Sequence, residues 1–165
     1  MSTSAAHTSA PASSSSSSKS AASSSTSTAP PRRCDRTELE VHAVTDATSY
    51  KVGDTPKLML QVTDTAKTSC VQDLADPQIE LRVYNGESRV WGSHDCKILA
   101  GTNDVTLLPA APVRVTIVWS GLSSRENTAH TAQGCAPRQA VGAGTYTLYP
   151  YLAGKAGKAS QFSIS

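Results

Sequence analysis

Aromatic residues are scarce: five Tyr, two Trp and one Phe make up 5% of the 165 residues, and charged residues only 17%. No run of about 18 apolar residues occurs, so nothing in the sequence reads as a membrane-spanning helix. Met1 is followed by small and polar residues in place of a basic cluster and an apolar stretch, so no signal peptide is read either. An excess of one charge is also missing. Lys and Arg number 15 against 13 Asp and Glu, and Lys19, Arg32 and Arg33 all precede the first acid, Asp35. That balance gives no concentrated positive field, so nucleic-acid binding lacks its electrostatic footprint. None of Asn85, Asn103 and Asn127 begins an Asn-x-Ser/Thr sequon.

No CxxC pair exists. Cys34, Cys70, Cys96 and Cys135 are widely spread, unlike the closely spaced ligand pairs of a structural zinc site. An even number of spread cysteines in a small strand-rich chain reads as two disulfides and an oxidising compartment. Four buried thiols in a cytosolic protein are the alternative. With no export signal read, the disulfide reading implies a signal or membrane anchor upstream, or a shortened chain.

What is present divides the chain in two. Apart from Met1, His7, Lys19, Arg32 and Arg33, residues 1–33 are Ser, Ala, Thr and Pro, with no branched aliphatic residue and no Phe, Trp or Tyr. Such a segment cannot offset a backbone ordering cost of roughly 1 to 2 kcal/mol per residue, so a disordered linker is expected. As a coil it spans about 30 Å, a stalk or spacer, bare or O-glycosylated.

From residue 34 to 165 the pattern is period two. Leu39, Val41 and Ala43 alternate with polar neighbours, as do Leu58, Leu60 and Val62, then Ile79, Leu81 and Val83. Asn85-Gly86 is expected to turn the chain into Ser88–Trp91, both residues tolerating positive φ. Val105 with Leu107, then Val113, Val115, Ile117 and Trp119, then Tyr146, Leu148 and Leu152, and finally Phe162 with Ile164 after a turn at Gly154–Gly157, complete the set. No helical period is sustained. Seven or eight short strands point to an all-β, immunoglobulin-like antiparallel sandwich, with a barrel as the alternative. Cys34 precedes the first strand and Cys70 follows the second; if these pair antiparallel, the two sulfurs meet, which leaves Cys96 for Cys135.

Chemistry is hard to find. His94 and Asp95 beside Cys96 could imitate a Cys/His nucleophile or part of a metal site, but a His-Asp pair on a polar loop is more simply solvated and Cys96 a disulfide partner. His7 lies in the linker and His42 on a polar strand face. His130 precedes Cys135, yet no His or Met follows, so the usual order of a blue-copper site fails. No catalytic residue, cofactor or metal site is assigned. Tyr149 and Tyr151 flank Pro150, which lacks a ladder N–H and so suggests an edge or bulged strand. Together with His94 they form the expected partner surface, since exposed tyrosines anchor interfaces at low entropy cost. The simpler alternative is that the tyrosines cover the outer face of the sheet or the stalk junction, since scattered exposed aromatics are normal.

Arg89-Val90-Trp91 after a turn, Leu107 to Pro109 leading to a strand that ends in Trp119, and Gly142-Ala143-Gly144-Thr145-Tyr146-Thr147-Leu148 resemble the immunoglobulin-like fold of the intracellular proteinase inhibitor of bacilli. The domain is more similar still to a group of actinobacterial cell-envelope proteins in which a membrane anchor and a Ser/Thr/Pro-rich linker precede such a domain with four cysteines. The Ser-rich tract, the cysteine spacing and the absence of a catalytic grouping point to a non-enzymatic, extracytoplasmic interaction module on a flexible stalk, monomeric, with a protein or cell-wall component as partner and the membrane reached only through an upstream anchor. The alternative is a proteinase inhibitor presenting Ser120–Ala136 or Trp91–Asn103.

Overall fold

The computed structural model describes residues 29–126, 135 and 138–165. The Ser-rich segment 1–28 lies outside the described residues, as do His7, His130 and most of the second half of Ser120–Ala136. The folded unit runs from Pro31 to Ser165. Arg32 and Arg33, read with the linker, are tied into it: Arg32 donates to the Thr68 carbonyl at 2.8 Å, and Arg33 forks onto the Asp104 carboxylate at 2.6 and 2.7 Å. That guanidinium holds the Asp104 carboxyl below the usual range.

The unit is all-β, an immunoglobulin-like sandwich. Its strands are β1 (Leu39–Thr45), β2 (Ser49–Tyr50), β3 (Lys57–Asp64), β4 (Cys70–Asp73), β5 (Ile79–Asn85), β6 (Ser88–Gly92), β7 (Asp104–Leu107), β8 (Val113–Val118), β9 (Gly144–Leu152), β10 (Lys155–Ala156) and β11 (Ser160–Ile164). β1-β3-β8 form one sheet, β2-β11-β9-β5-β6 a larger one with β10 on β9, and β4-β7 a ribbon. All pairings are antiparallel except β2 with β11.

Period two places the core. Leu58, Leu60 and Val62 of β3 and Leu81 and Val83 of β5 are fully buried, joined by Ile79, Leu148 and Leu152. Five of the eight aromatics fill the middle: Trp119 lies 5.8 Å from Trp91 and 6.2 Å from Phe162, and Phe162 stacks on Tyr146 and meets Tyr50 edge-on. The strong alternation of β8 buries less than it promises. β8 is an edge strand, so Val113, Val115 and Ile117 are only partly covered.

Tyr146 Oη donates to the Gly142 carbonyl at 2.6 Å, four residues upstream, the tyrosine corner of immunoglobulin-like sandwiches. Tyr146→Phe should therefore cost about 1 kcal/mol. Urea denaturation checks it; an unchanged midpoint would show that the corner does not bear on stability.

Both expected turns shift. Asn85 pairs with Ser88, so Gly86-Glu87 is the turn, and Gly86 alone has positive φ, +57°. That is the pattern of a type II′ hairpin, with Asn85 inside the strand. The β9–β10 turn falls at Ala153-Gly154, both at positive φ, ahead of the expected position. Pro150 does not mark an edge: β9 is central, flanked by β5 and β11. A strand residue's N–H and C=O point to the same side, and the Pro150 carbonyl accepts from Gly157 at 2.8 Å. The missing N–H thus faces the break between β10 and β11, where no ladder bond is needed.

Cys34–Cys70 and Cys96–Cys135 are disulfides, as expected. The first lies beside the end where β1 and β3 pair Leu39 with Asp64. Two disulfides in so small a fold indicate maturation in an oxidising, extracytoplasmic environment. Among the described residues no helix is long and apolar enough to cross a membrane.

Candidate functional site

Three aromatics lie outside the core, and all three line one groove. Outward positions of β5 carry Glu80, Arg82 and Tyr84, and those of β9 carry Tyr149 and Tyr151, because the intervening Leu81, Val83, Leu148, Pro150 and Leu152 point into the core. β5 and β9 pair side by side, with Arg82 opposite Tyr149 and Glu80 opposite Tyr151. The contacts are diagonal: Tyr84 meets Tyr149 edge-on at 5.3 Å, and the Arg82 guanidinium sits 4.4 Å from the Tyr151 ring centre. Tyr84, Tyr149 and Tyr151, with Gly86 and Glu87 of the hairpin turn, enclose a groove of about 270 Å³.

Arg82 also forks onto Glu80, at 2.7 and 2.9 Å. These bonds raise the guanidinium's already high pKa, so its charge is permanent. Behind Glu80 lies Arg89, 3.9 Å away, which forks onto Asp95 at 2.6 and 2.9 Å. Asp95 is 3% exposed and also accepts from Gly92 N and Ser124 Oγ. The structure thus turns Asp95 inward to Arg89, where the sequence suggests a solvated partner of His94. A buried carboxylate needs such a set of donors. No local pattern announces this pair, because Arg89 sits on a short strand and Asp95 in the following loop.

His94 is not brought to the tyrosines. Its side chain is 12% exposed, and Nε2 lies 2.9 Å from the Asp76 carbonyl. It does not line the groove. The Trp91–Asn103 segment is strapped to the body: Leu99 N donates to Asp76 Oδ2 at 2.6 Å and Asn103 N to Asp73 Oδ1 at 2.8 Å. The described part of the other candidate loop is anchored by Ser123, which exchanges bonds with Gln139, and by Ser124 N on the Val90 carbonyl.

The groove offers three phenol rings, a carboxylate and a permanently charged guanidinium beside them. Rings so placed pack against a flat or apolar group and hydrogen-bond at their rims. Its lining holds no Ser, Cys, His or Lys; its titratable groups are the Glu87 carboxylate and the three phenols. Among the described residues no three His, Cys, Asp or Glu could hold a metal ion.

No family model and no curated protein matches this chain. Solved structures similar to it include a β-glucosidase from Erythrobacter marinus, 11% identical with a TM-score of 0.45 over 77% of this chain and 15% of that one. A β-glucosidase from Listeria innocua is 10% identical, with a TM-score of 0.42 over 76% of this chain and 16% of the other. The alkylpurine DNA glycosylase AlkC from Pseudomonas fluorescens is 11% identical, with a TM-score of 0.43 over 77% of this chain and 30% of that protein. This chain therefore spans about a sixth of those β-glucosidases. Likeness at this level says nothing of activity.

Proposed function

We propose that the protein is a non-enzymatic interaction module of the cell envelope or the secreted space, which meets its partner, a protein or cell-wall component, through the tyrosine groove on β5 and β9. One observation carries this reading: of eight aromatic side chains five are in the core, and the other three line a single groove. Tyrosines gathered on one outer face anchor partners at low entropy cost. The disulfides agree with an exported domain, and the Ser-rich segment agrees with a spacer from an upstream anchor.

The test is co-sedimentation of the full chain with the envelope fraction of its own cells. The parent should sediment, and Tyr84→Ser/Tyr149→Ser/Tyr151→Ser, shown to be folded by circular dichroism, should stay in solution with apparent affinity down at least roughly 100-fold, about 3 kcal/mol for a groove's central anchors. Equal partition of parent and variant would dismiss the groove as the contact.

A second reading, proteinase inhibition, is favoured by the strapping of Trp91–Asn103 to Asp73 and Asp76. A loop held in this way loses little entropy on binding. Stoichiometric inhibition in a panel of proteases would support it, and cleavage of the segment would oppose it.

A further inference from the structure

A second recess, sharing no lining residue with the tyrosine groove, opens where β1 of the small sheet meets the β9–β10 hairpin of the large one. Its floor is Leu39, Val41 and Leu152, and its rim carries Arg36, Lys155 and Lys158. The volume is about 250 Å³.

Its origin is visible in β1. The inward row is Leu39, Val41 and Ala43, yet only Ala43 is buried. At Ala43 the chain closes on the other sheet: Lys158 N donates to the Val41 carbonyl at 2.7 Å and Ala43 N to the Lys158 carbonyl at 2.8 Å. The approach is so close that a Cβ on Gly157 would lie 2.3 Å from the Val41 oxygen, so only glycine fits there. Beyond that clasp Leu39 and Val41 still pack against the core but are only partly covered.

The clasp also fixes the rim. Lys158 is the clasped residue itself, Lys155 pairs with Leu152 across the Ala153-Gly154 turn, and Arg36 lies in a short 3₁₀ turn capped by Asp35 through Thr37 N. No acidic residue lines the recess. Among the described residues none of the three cations has a carboxylate within 4.0 Å. Asp35 feels Lys155, but its carboxylate is taken up by Thr37 N and Oγ1, at 2.8 and 2.6 Å. In a domain of nearly balanced charge, three unpaired cations around an apolar floor form a local, signed feature.

We propose that this recess binds a small amphipathic anion, a carboxylate with a hydrocarbon chain of about eight carbons, since 250 Å³ holds about eight groups of water's 30 Å³ share. The chain lies on Leu39, Val41 and Leu152, and the carboxylate meets Arg36, Lys155 and Lys158. Each methylene is buried on the floor in turn, so affinity rises roughly three- to fourfold per carbon until the recess is full.

The experiment is an amide-resolved NMR titration of the oxidised full chain at low salt, where surface charges are least screened, with butyrate, hexanoate, octanoate, 1-octanol and octylammonium. Octanoate should give saturable shifts centred on Val41, Leu152 and Gly157, with butyrate, octanol and octylammonium each at least tenfold weaker. Lys155→Glu/Lys158→Glu should weaken octanoate at least tenfold. Ala156→Trp, a bulky side chain at an exposed hairpin position lining the recess, should abolish binding while the rest of the spectrum stays native. Equal affinity for octanoate, octanol and octylammonium would overturn the proposal in favour of a bare apolar patch. Shifts centred elsewhere, or no saturable change up to about 10 mM, an affinity of only about −3 kcal/mol, would overturn it outright. Loss of the tyrosine groove leaves this result unchanged, so the two readings fail separately.

Discussion

Replacing all four cysteines with alanine is expected to leave Pro31–Ser165 unfolded in buffer without denaturant. Cys34–Cys70 and Cys96–Cys135 span 36 and 39 residues, and closing a loop of that length removes roughly 4 kcal/mol of entropy from the unfolded chain. The two together amount to about 8 kcal/mol, against a total stability for a domain of this size of about 5 to 15 kcal/mol. Each bridge also holds something specific. The first keeps the entering chain beside β4, where Cys34 N donates to the Val71 carbonyl at 3.0 Å and Val71 N to the Arg32 carbonyl at 2.8 Å. The second adjoins Asp95 and so holds the buried Arg89–Asp95 pair in register with Ser124. Circular dichroism with guanidinium titration checks this. Each double variant should fold with its midpoint well below the parent's, and the quadruple variant should show no cooperative transition. A quadruple variant melting with the parent would mean that packing alone holds the sheets.

Trp119→Ala should be the most damaging single substitution, at roughly 3 to 5 kcal/mol. Trp119 is fully buried, directly after β8, and bridges Trp91 on β6 and Phe162 on β11. Its Nε1 donates to the Leu122 carbonyl at 3.0 Å, and truncation leaves that acceptor without its donor, a further loss of about 1 kcal/mol. β8 is an edge strand whose Val113, Val115 and Ile117 are only partly covered, so Trp119 is the fully buried side chain that follows it into the centre. Guanidinium unfolding followed by fluorescence of the remaining Trp91 measures the loss. A value below about 1.5 kcal/mol would show that the core refills the space, which packed interiors rarely do.

Period two was enough to find the sandwich, because Leu58, Leu60 and Val62 or Leu81 and Val83 can alternate only if one face of the strand is buried. It missed β4, where Cys70 and Val71 are both buried and no alternation exists, and β2 and β10, at two residues each too short to show a period. The cysteine pairing was legible because it follows from β1 lying antiparallel to β3. The edge half of the Pro150 reading fails because that rule assumes a continuous ladder, whereas the bulge half has support: the register along β9 slips by one residue between the β10 and β11 pairings, beside the proline. Tyr149 and Tyr151 could be placed on one face from their spacing, but Tyr84 joins them only because β5 and β9 are neighbours, a fact of topology that no window along the chain contains. His94 looked available because its neighbours are polar, whereas the packing of the β6–β7 connection on Asp76 covers it.

Two covalent bonds made in an oxidising compartment hold the fold together. The direct measurement is a non-reducing peptide map of the protein taken from its own cells, with iodoacetamide present from the moment of lysis. The prediction is no alkylated cysteine and two linked peptides, Cys34 to Cys70 and Cys96 to Cys135. Four alkylated thiols would contradict it and remove the extracytoplasmic assignment along with the staples.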